Sequence, residues 1–406
     1  MTAMRFADLR VLDFCWVGAG AFVTRILADL GAEVIKVESR AHPDNLRLSG
    51  PHKFGAKHLE GSGYFASRNT GKKSIALNMT NPQAREIARQ LAAQCSVVTN
   101  NFRPGIMDRW GLGYADIAAA NPSVIYLAMP MQGTSGPHAS YIGFGSTIAA
   151  ISGLVEMSGL PDRPPVGTGT HYPDHVPNPG HALVGLMAAI YHRLRTGEGQ
   201  YIELAQLEST VNLLGPDIIK HSAGGAPGQR TGNRRIGSVP SGVFPCAGDD
   251  TWCAIEVEDD RAWFALQAAL GNPEWMIDPD LRTLLGRNAR IDEIERRLAE
   301  ETRLWDAAEL SARLQECGVA SSVVETSRDV ADDAQLTARG YWRDINHAEM
   351  GRITVNVPPF FSVEEGRKRE PPPPPLLGEH TFEVATSLLG LSESECERLI
   401  EEKVFY

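Results

Sequence analysis

The chain has 406 residues and a formal net charge of −11, from 39 Lys and Arg against 50 Asp and Glu. That length can bury a large core and predicts more than one domain. The acidic balance disfavours nucleic acid or an anionic membrane as the main partner, and a polyanionic small molecule would need a local basic patch. Six scattered cysteines (Cys15, Cys95, Cys246, Cys253, Cys317, Cys396) form no CxxC pair and no Cys/His cluster at metal-ligand spacing, and so read as reduced thiols of a cytoplasmic protein. No apolar run is long enough to cross a bilayer, and no charged-then-apolar leader is visible.

In chain order, residues 9–14 predict a buried strand and residues 22–30 a helix that Gly31 ends. Residues 33–38 predict a second strand. This βαβ unit implies a parallel sheet, and strand candidates at 74–77, 96–99 and 123–128, with helices 82–93 and 105–110 between them, extend it to a doubly wound α/β domain. A Gly, Pro and His-rich loop, Thr168 to Gly180, leads into a helix closed by Arg193-Leu194-Arg195 and Thr196-Gly197, after which residues 201–204 read as a strand. The expected organisation is a large domain over 1–220, a linker at 221–240, a small α+β domain over 241–344, a linker at 345–375 containing five consecutive prolines, and terminal helices within 376–406.

Asp174 is the acid singled out by this layout. At a loop-to-helix junction the free backbone N–H groups favour a carboxylate, which suits a nucleophile, although Asp also serves there as an ordinary cap. Gly18-Ala19-Gly20 between a strand and a helix mimics part of a dinucleotide fingerprint, but Val23 stands where the third glycine belongs, which argues against a nicotinamide or flavin cofactor. Asn101-Phe102-Arg103-Pro104-Gly105 precedes a helix, where backbone amides with Arg103 or Arg109 suit a phosphate; its bland reading is a solvated loop, as it is for the turn at Lys72-Lys73. The loop histidines His171, His175 and His181 lack the acidic or cysteine partners of a metal site, and no G-x-S-x-G elbow supports a serine triad.

Several stretches together resemble the family III CoA-transferases, the CaiB/BaiF family. They are LRVLDFCWVGAG with LADLGAEVIKVE, NTGKKSIALNM, NNFRPGIMDRWGLGY, GTSGPHASYIGFG, HRLRTGEGQYIELAQLES, TGNRR with SGVFPCAGDDTW, and PLLGEHT, in family order across nearly the whole chain. The resemblance implies an α/β fold with a Rossmann-like large domain and a smaller α+β domain, two chains being threaded into an interlocked homodimer, or a heterodimer with a related subunit. It also implies acyl-CoA and carboxylic acid substrates, coenzyme A as substrate with no tightly bound cofactor, and Asp174 as the nucleophile that carries an aspartyl-CoA thioester. CoA-binding positions carry over to Val17, Gly18, Leu77, Asn101, Phe102 and Arg109, with Arg40 over the adenine and Lys72 as a phosphate neighbour.

Two departures narrow the reading. Phe144 stands where racemases of the family have a histidine base, and a phenylalanine cannot move a proton, so a racemase or isomerase is the weaker alternative. Met131-Gln132-Gly133 replaces the Gly-Phe/Tyr-Gly of many transferases, which predicts a different acceptor pocket from that of the oxalate-using enzymes. HYPDHVPNPGHA and CAGDDTW look closest to the benzylsuccinate-type branch with succinyl-CoA as donor. A non-catalytic subunit is the third reading, and the presence of Asp174 argues against it.

Overall fold

The computed structural model describes residues 6–226, 228–360 and 370–406; residues 1–5, residue 227 of the first expected linker and residues 361–369 of the second lie outside them. The chain forms two compact units. One comprises Met1–Val155, Gly167–Pro227 and Ala334–Tyr406, the other Glu156–Val166 and Gly228–Asp333.

The larger unit is built on six strands, β1 (Arg10–Phe14), β2 (Glu33–Glu38), β3 (Lys73–Ala76), β4 (Val97–Asn100), β5 (Ile125–Ala128) and β6 (Gln200–Glu203). Their order is β3-β2-β1-β4-β5-β6 and every pairing is parallel. Parallel strands are covered on both faces, and β1 to β5 are buried almost throughout, whereas the edge strand β6 alternates between partly buried and exposed residues. Successive residues point to opposite sides. Leu12 and Phe14 join Ile87 and Leu91 of the helix Pro82–Ala93 in one core, while Val11 and Val34 join Leu27 of the helix Gly18–Asp29 and Leu186 and Ile190 of the helix Pro177–Thr196 in the other. Val384 and Leu399, from the terminal helices Thr381–Leu389 and Glu393–Glu401, complete the first of these cores.

The smaller unit holds an antiparallel sheet of Ser241–Pro245, Trp252–Glu256 and Ala320–Val323, beside a core in which Trp263 is fully buried. Two features depart from the sequence expectation. Residues 342–356 form an antiparallel hairpin, Trp342–His347 with Gly351–Asn356, and belong to the larger unit: Arg25 of the helix Gly18–Asp29 donates to Asn356 Oδ1 at 3.0 Å. The small unit therefore stops at Asp333 rather than 344, because a polar strand that looked like a connection finds a partner only 4 residues upstream of its start. The proline run is docked rather than free, since the Pro372 carbonyl accepts from Gly71 N and the Pro375 carbonyl from Arg47, both at 3.0 Å.

β6 reaches the sheet edge through Gly199, where a Cβ would lie 2.0 Å from the Val124 carbonyl oxygen. Gly199→Ala is expected to destabilise the protein by on the order of 2 to 4 kcal/mol in denaturant unfolding. Gly180→Ala, in the helix Pro177–Thr196 with nothing within 4 Å of its Cβ, should instead gain up to about 1 kcal/mol.

Candidate active site

The strand order reverses between β1 and β4, and in open parallel sheets ligands gather at the carboxyl ends of the strands at such a point. A cavity of ≈ 460 Å³ lies there, lined by Trp16, Val17 and Gly18 beyond β1, Val37 and Glu38 of β2, Leu77 beyond β3, and Asn101 and Phe102 beyond β4. Asp174, 156 residues further along than Gly18, lines the same cavity. Six of the sequence-predicted site residues thus come together: Val17, Gly18, Leu77, Asn101, Phe102 and Asp174.

The first turn is fixed by side chains from elsewhere in the unit. Asn101 clamps Trp16 at both backbone groups, accepting from its N at 2.9 Å and donating to its O at 2.5 Å. The Phe102 ring meets Trp16 and Trp110 edge-on, with centroids 5.3 and 5.5 Å apart. Val17 adopts φ 64° and ψ −155°, a conformation that costs a β-branched residue on the order of 1–3 kcal/mol. Its N–H donates to Asp44 Oδ1 at 3.0 Å, and Asp44 Oδ2 is in turn held 2.8 Å from Lys36 Nζ, so a fully buried ion pair holds the strained residue in place.

Asp174 is 5% exposed and sits in a single helical turn, Tyr172–His175, just before the helix Pro177–Thr196. Among the described residues its carboxylate has no hydrogen-bond partner, and it caps neither helix. Two glycines lie against it. A Cβ at Gly18 would be 2.8 Å from Asp174 Cβ, and one at Gly145 would be 2.6 Å from Oδ2. Burial therefore dominates, pushing the carboxyl from 3.8 up to about 6, with the nearby His171 opposing the shift. The expected contact, in which free N–H groups of the following helix hold the carboxylate in its ionised form, is not made. Asp174 lies in the turn ahead of that helix, where the free N–H groups do not bond it.

The remaining predicted residues take other places. Arg109 lines an adjoining cavity of ≈ 270 Å³ together with Arg103, which also lines the first. Neither arginine is ion-paired among the described residues, so both are available to an anion. Arg40 is exposed beside Ser39, which lines the main cavity, but does not line it itself. Lys72 is excluded from any role at a phosphate. It is buried, and its three donors are spent on Asp13 Oδ2 (3.1 Å), the Ala21 carbonyl (2.9 Å) and Thr24 Oγ1 (2.7 Å). Two lysines in a turn looked solvated, but the fully buried Asp13, 59 residues earlier, requires a counter-charge. Lys73 does face outward, paired with Glu33 and Glu383.

Sequence reasoning missed Gly145, Trp16 and Tyr64. Trp16 carried a signal, an aromatic at the end of the first strand, whereas nothing local marked Gly145 as a neighbour of Asp174. Phe144 and Met131, the two departures noted above, both line the main cavity. A second cavity of ≈ 840 Å³ is lined by Tyr64, Ser67, Ser146, Thr170, His171 and His175, the last being the residue after Asp174. His175 lies between Tyr64 Oη (3.2 Å from Nε2) and Arg68 (3.3 Å from Nδ1), and burial, Arg68 and His171 push it down to about 4.

A carboxyl at about 6 is stabilised as the neutral acid in the folded state, so its contribution is present below 3.8 to 6 and is lost as pH rises through that window. Asp174→Asn is therefore expected to unfold at a higher temperature than the parent at pH 8, by the equivalent of about 2 to 3 kcal/mol, with the difference closing at pH 4. Calorimetry at the two pH values checks this.

The sequence pattern of CoA-transferase family III matches residues 6–381. Succinyl-CoA–D-citramalate CoA-transferase of Chloroflexus aurantiacus is 32% identical over 98% of this chain and 97% of its own length. Succinyl-CoA:glutarate CoA-transferase of Mus musculus is 32% identical over 97% of this chain and 88% of its own. The crystal structure of a CaiB/BaiF family protein from Brucella suis superposes with a TM-score of 0.83 at 29% identity, covering 94% of this chain and 98% of that one. With its parallel sheet, its cavity at the strand-order reversal and these relatives, the chain belongs to CoA-transferase family III and is a CoA-transferase.

Proposed function

We propose that this protein moves CoA from succinyl-CoA to a small dicarboxylic acid, with Asp174 as the nucleophile. The observation that carries the reading is a buried carboxylate, free of hydrogen bonds, at the wall of a cavity built on the first strand-to-helix turn. Relatives named for succinyl-CoA with citramalate, glutarate and mesaconate support the donor and a compact diacid acceptor, in preference to the bulky aromatic acids of the benzylsuccinate type.

In this reading the Asp174 carboxylate attacks the thioester carbonyl, the C–S bond breaks, and CoA leaves as thiolate from a mixed anhydride. The thiolate then attacks the aspartyl carbonyl, which releases succinate and leaves the aspartyl-CoA thioester. The acceptor carboxylate attacks that thioester to give a new anhydride, and the thiolate takes the acceptor acyl group, restoring the carboxylate. Covalent catalysis splits one hard exchange into four easier steps. A carboxylate with a pKa of about 6 is a better nucleophile than an ordinary one and is still roughly nine-tenths ionised at neutral pH. The free N–H groups at the start of the helix Gly18–Asp29 suit the oxyanion of each tetrahedral step. The pantetheine arm would lie along Val17, Leu77, Asn101 and Phe102, and the phosphates near Arg103 and Arg109, with Arg40 at the adenine end. The only resident group this scheme needs is the protein itself, with CoA entering as substrate.

A Rossmann-like domain carrying CoA within an interlocked dimer is part of the same proposal. The exposed Val184, Tyr191 and Leu194 on the helix Pro177–Thr196, and Ile218 and Ile219 on the helix Gly215–Ser222, fit burial by a second chain, whether identical or related. A relative named as the beta subunit of a succinyl-CoA–L-malate CoA-transferase keeps the related-subunit form in view. Phe144 at the cavity, where a proton-transfer base would be needed, weighs against a racemase or isomerase. Asp174 weighs against a non-catalytic subunit.

Incubation with succinyl-CoA followed by borohydride or hydroxylamine and peptide mapping should place the modification on Asp174, and Asp174→Ala should abolish both the adduct and CoA transfer. An adduct on another residue, or transfer that survives in Asp174→Ala, contradicts the proposal.

A further inference from the structure

The second cavity beside Asp174 contains a polarised donor with nothing to donate to. An arginine can only donate, so the contact between Arg68 and His175 makes Nδ1 an acceptor. The imidazole proton is then on Nε2, where it is donated to Tyr64 Oη at 3.2 Å. The Tyr64 hydroxyl accepts that bond, and its own proton is left for the cavity that Tyr64 lines. Arg68 makes the arrangement unusual. It is largely buried, with its guanidinium 4.6 Å from the Phe22 ring centroid, yet no carboxylate pairs with it among the described residues, and its buried Nε has no hydrogen-bond partner. A buried cation without an anion is costly, and here its field polarises His175 and, through the hydrogen bond from Nε2, the Tyr64 hydroxyl.

The turn Tyr172–His175 borders both cavities. Asp174 and Gly145 line the first, and their chain neighbours His175 and Ser146 line the second. A thioester attacked by Asp174 has a sulfur side and an acyl side. If the sulfur side fills the first cavity, as the proposed function holds, the acyl chain points into the second. We propose that the Tyr64 hydroxyl, polarised by Arg68 through His175, binds the distal carboxylate of a dicarboxylic acyl group, and that this one subsite serves donor and acceptor in turn. Succinyl-CoA and a diacid acceptor each present a second carboxylate at a few bonds from the reacting carbonyl, so both fit it. Ser67, Thr168 and Thr170 in the same wall supply neutral polar contacts to the chain's end.

This inference rests on the proposed function for the placement of the sulfur side. Its test is a ratio. Tyr64→Phe removes one oxygen; kcat/KM for glutarate should fall about ten- to a hundredfold, while that for pentanoate, of the same length with one carboxylate, should change less than about threefold. Arg68→Gln supplies the same ratio should Tyr64→Phe fold poorly. An equal loss for both acids, no loss for either, or a parent enzyme that prefers pentanoate overturns the subsite. Adduct mapping in Tyr64→Phe separates the two ideas. A labelled Asp174 with an unchanged acid ratio sinks the subsite alone, and a selective loss for glutarate with Asp174 unlabelled sinks the nucleophile alone.

Discussion

The close approach of Gly18 and Gly145 to the Asp174 carboxylate is the contact on which the rest of the site depends. Any side chain at either glycine would occupy the space of the carboxyl group, so the acid is packed against backbone and largely shielded from water without gaining a hydrogen bond or a counter-ion among the described residues. Its charge is then carried at a cost, which acylation would relieve in the proposed mechanism. Elsewhere in the same unit other buried carboxylates are treated in the opposite way. Asp13 has Lys72, Asp44 has Lys36, and Glu38 has Arg47. Among the described residues, a buried carboxylate left unpaired beside these paired ones is the pattern expected where reactivity takes precedence over stability, in line with the proposed role of Asp174.

The sheet explains how residues far apart in sequence meet there. Because β1 and β4 are neighbours while the chain leaves them toward opposite sides, the turn at Trp16–Gly18 and the loop at Asn101–Phe102 open into one crevice. The Lys36–Asp44 pair and the Asn101 clamp hold Val17 in a backbone conformation it would not adopt alone. The buried Lys36–Asp44 pair thus supports the geometry of the first turn.

Much of this was legible in the sequence, for physical reasons. β1, β2 and β5 are apolar runs between turn residues, and the helix after β1 has a clean period, so the parallel sheet and the position of the first turn could be read directly. The helices Gly63–Asn69 and Gly145–Ile151 could not: each spans 7 residues, too short for a hydrophobic period to repeat. Tyr64, Arg68 and Gly145 went unread with them. Lys72 was misread because its partner Asp13 is distant in sequence and adjacent only once β1 and β3 are in the sheet. Asp174 was found, but its acidity was argued from the helix Pro177–Thr196, whose free N–H groups it does not meet; burial, which no local pattern reports, sets it instead.

The central claim concerns the state of one carboxyl group, and titration of that group tests it most directly. Carbon-13 NMR of protein labelled at aspartate carboxyls, assigned by comparison with Asp174→Asn, should show the Asp174 signal titrating near pH 6 in the protein free of CoA. A midpoint at or below 4 would mean that the group is solvated or paired, and the account of a buried, unpaired charge confined between two glycines would be wrong.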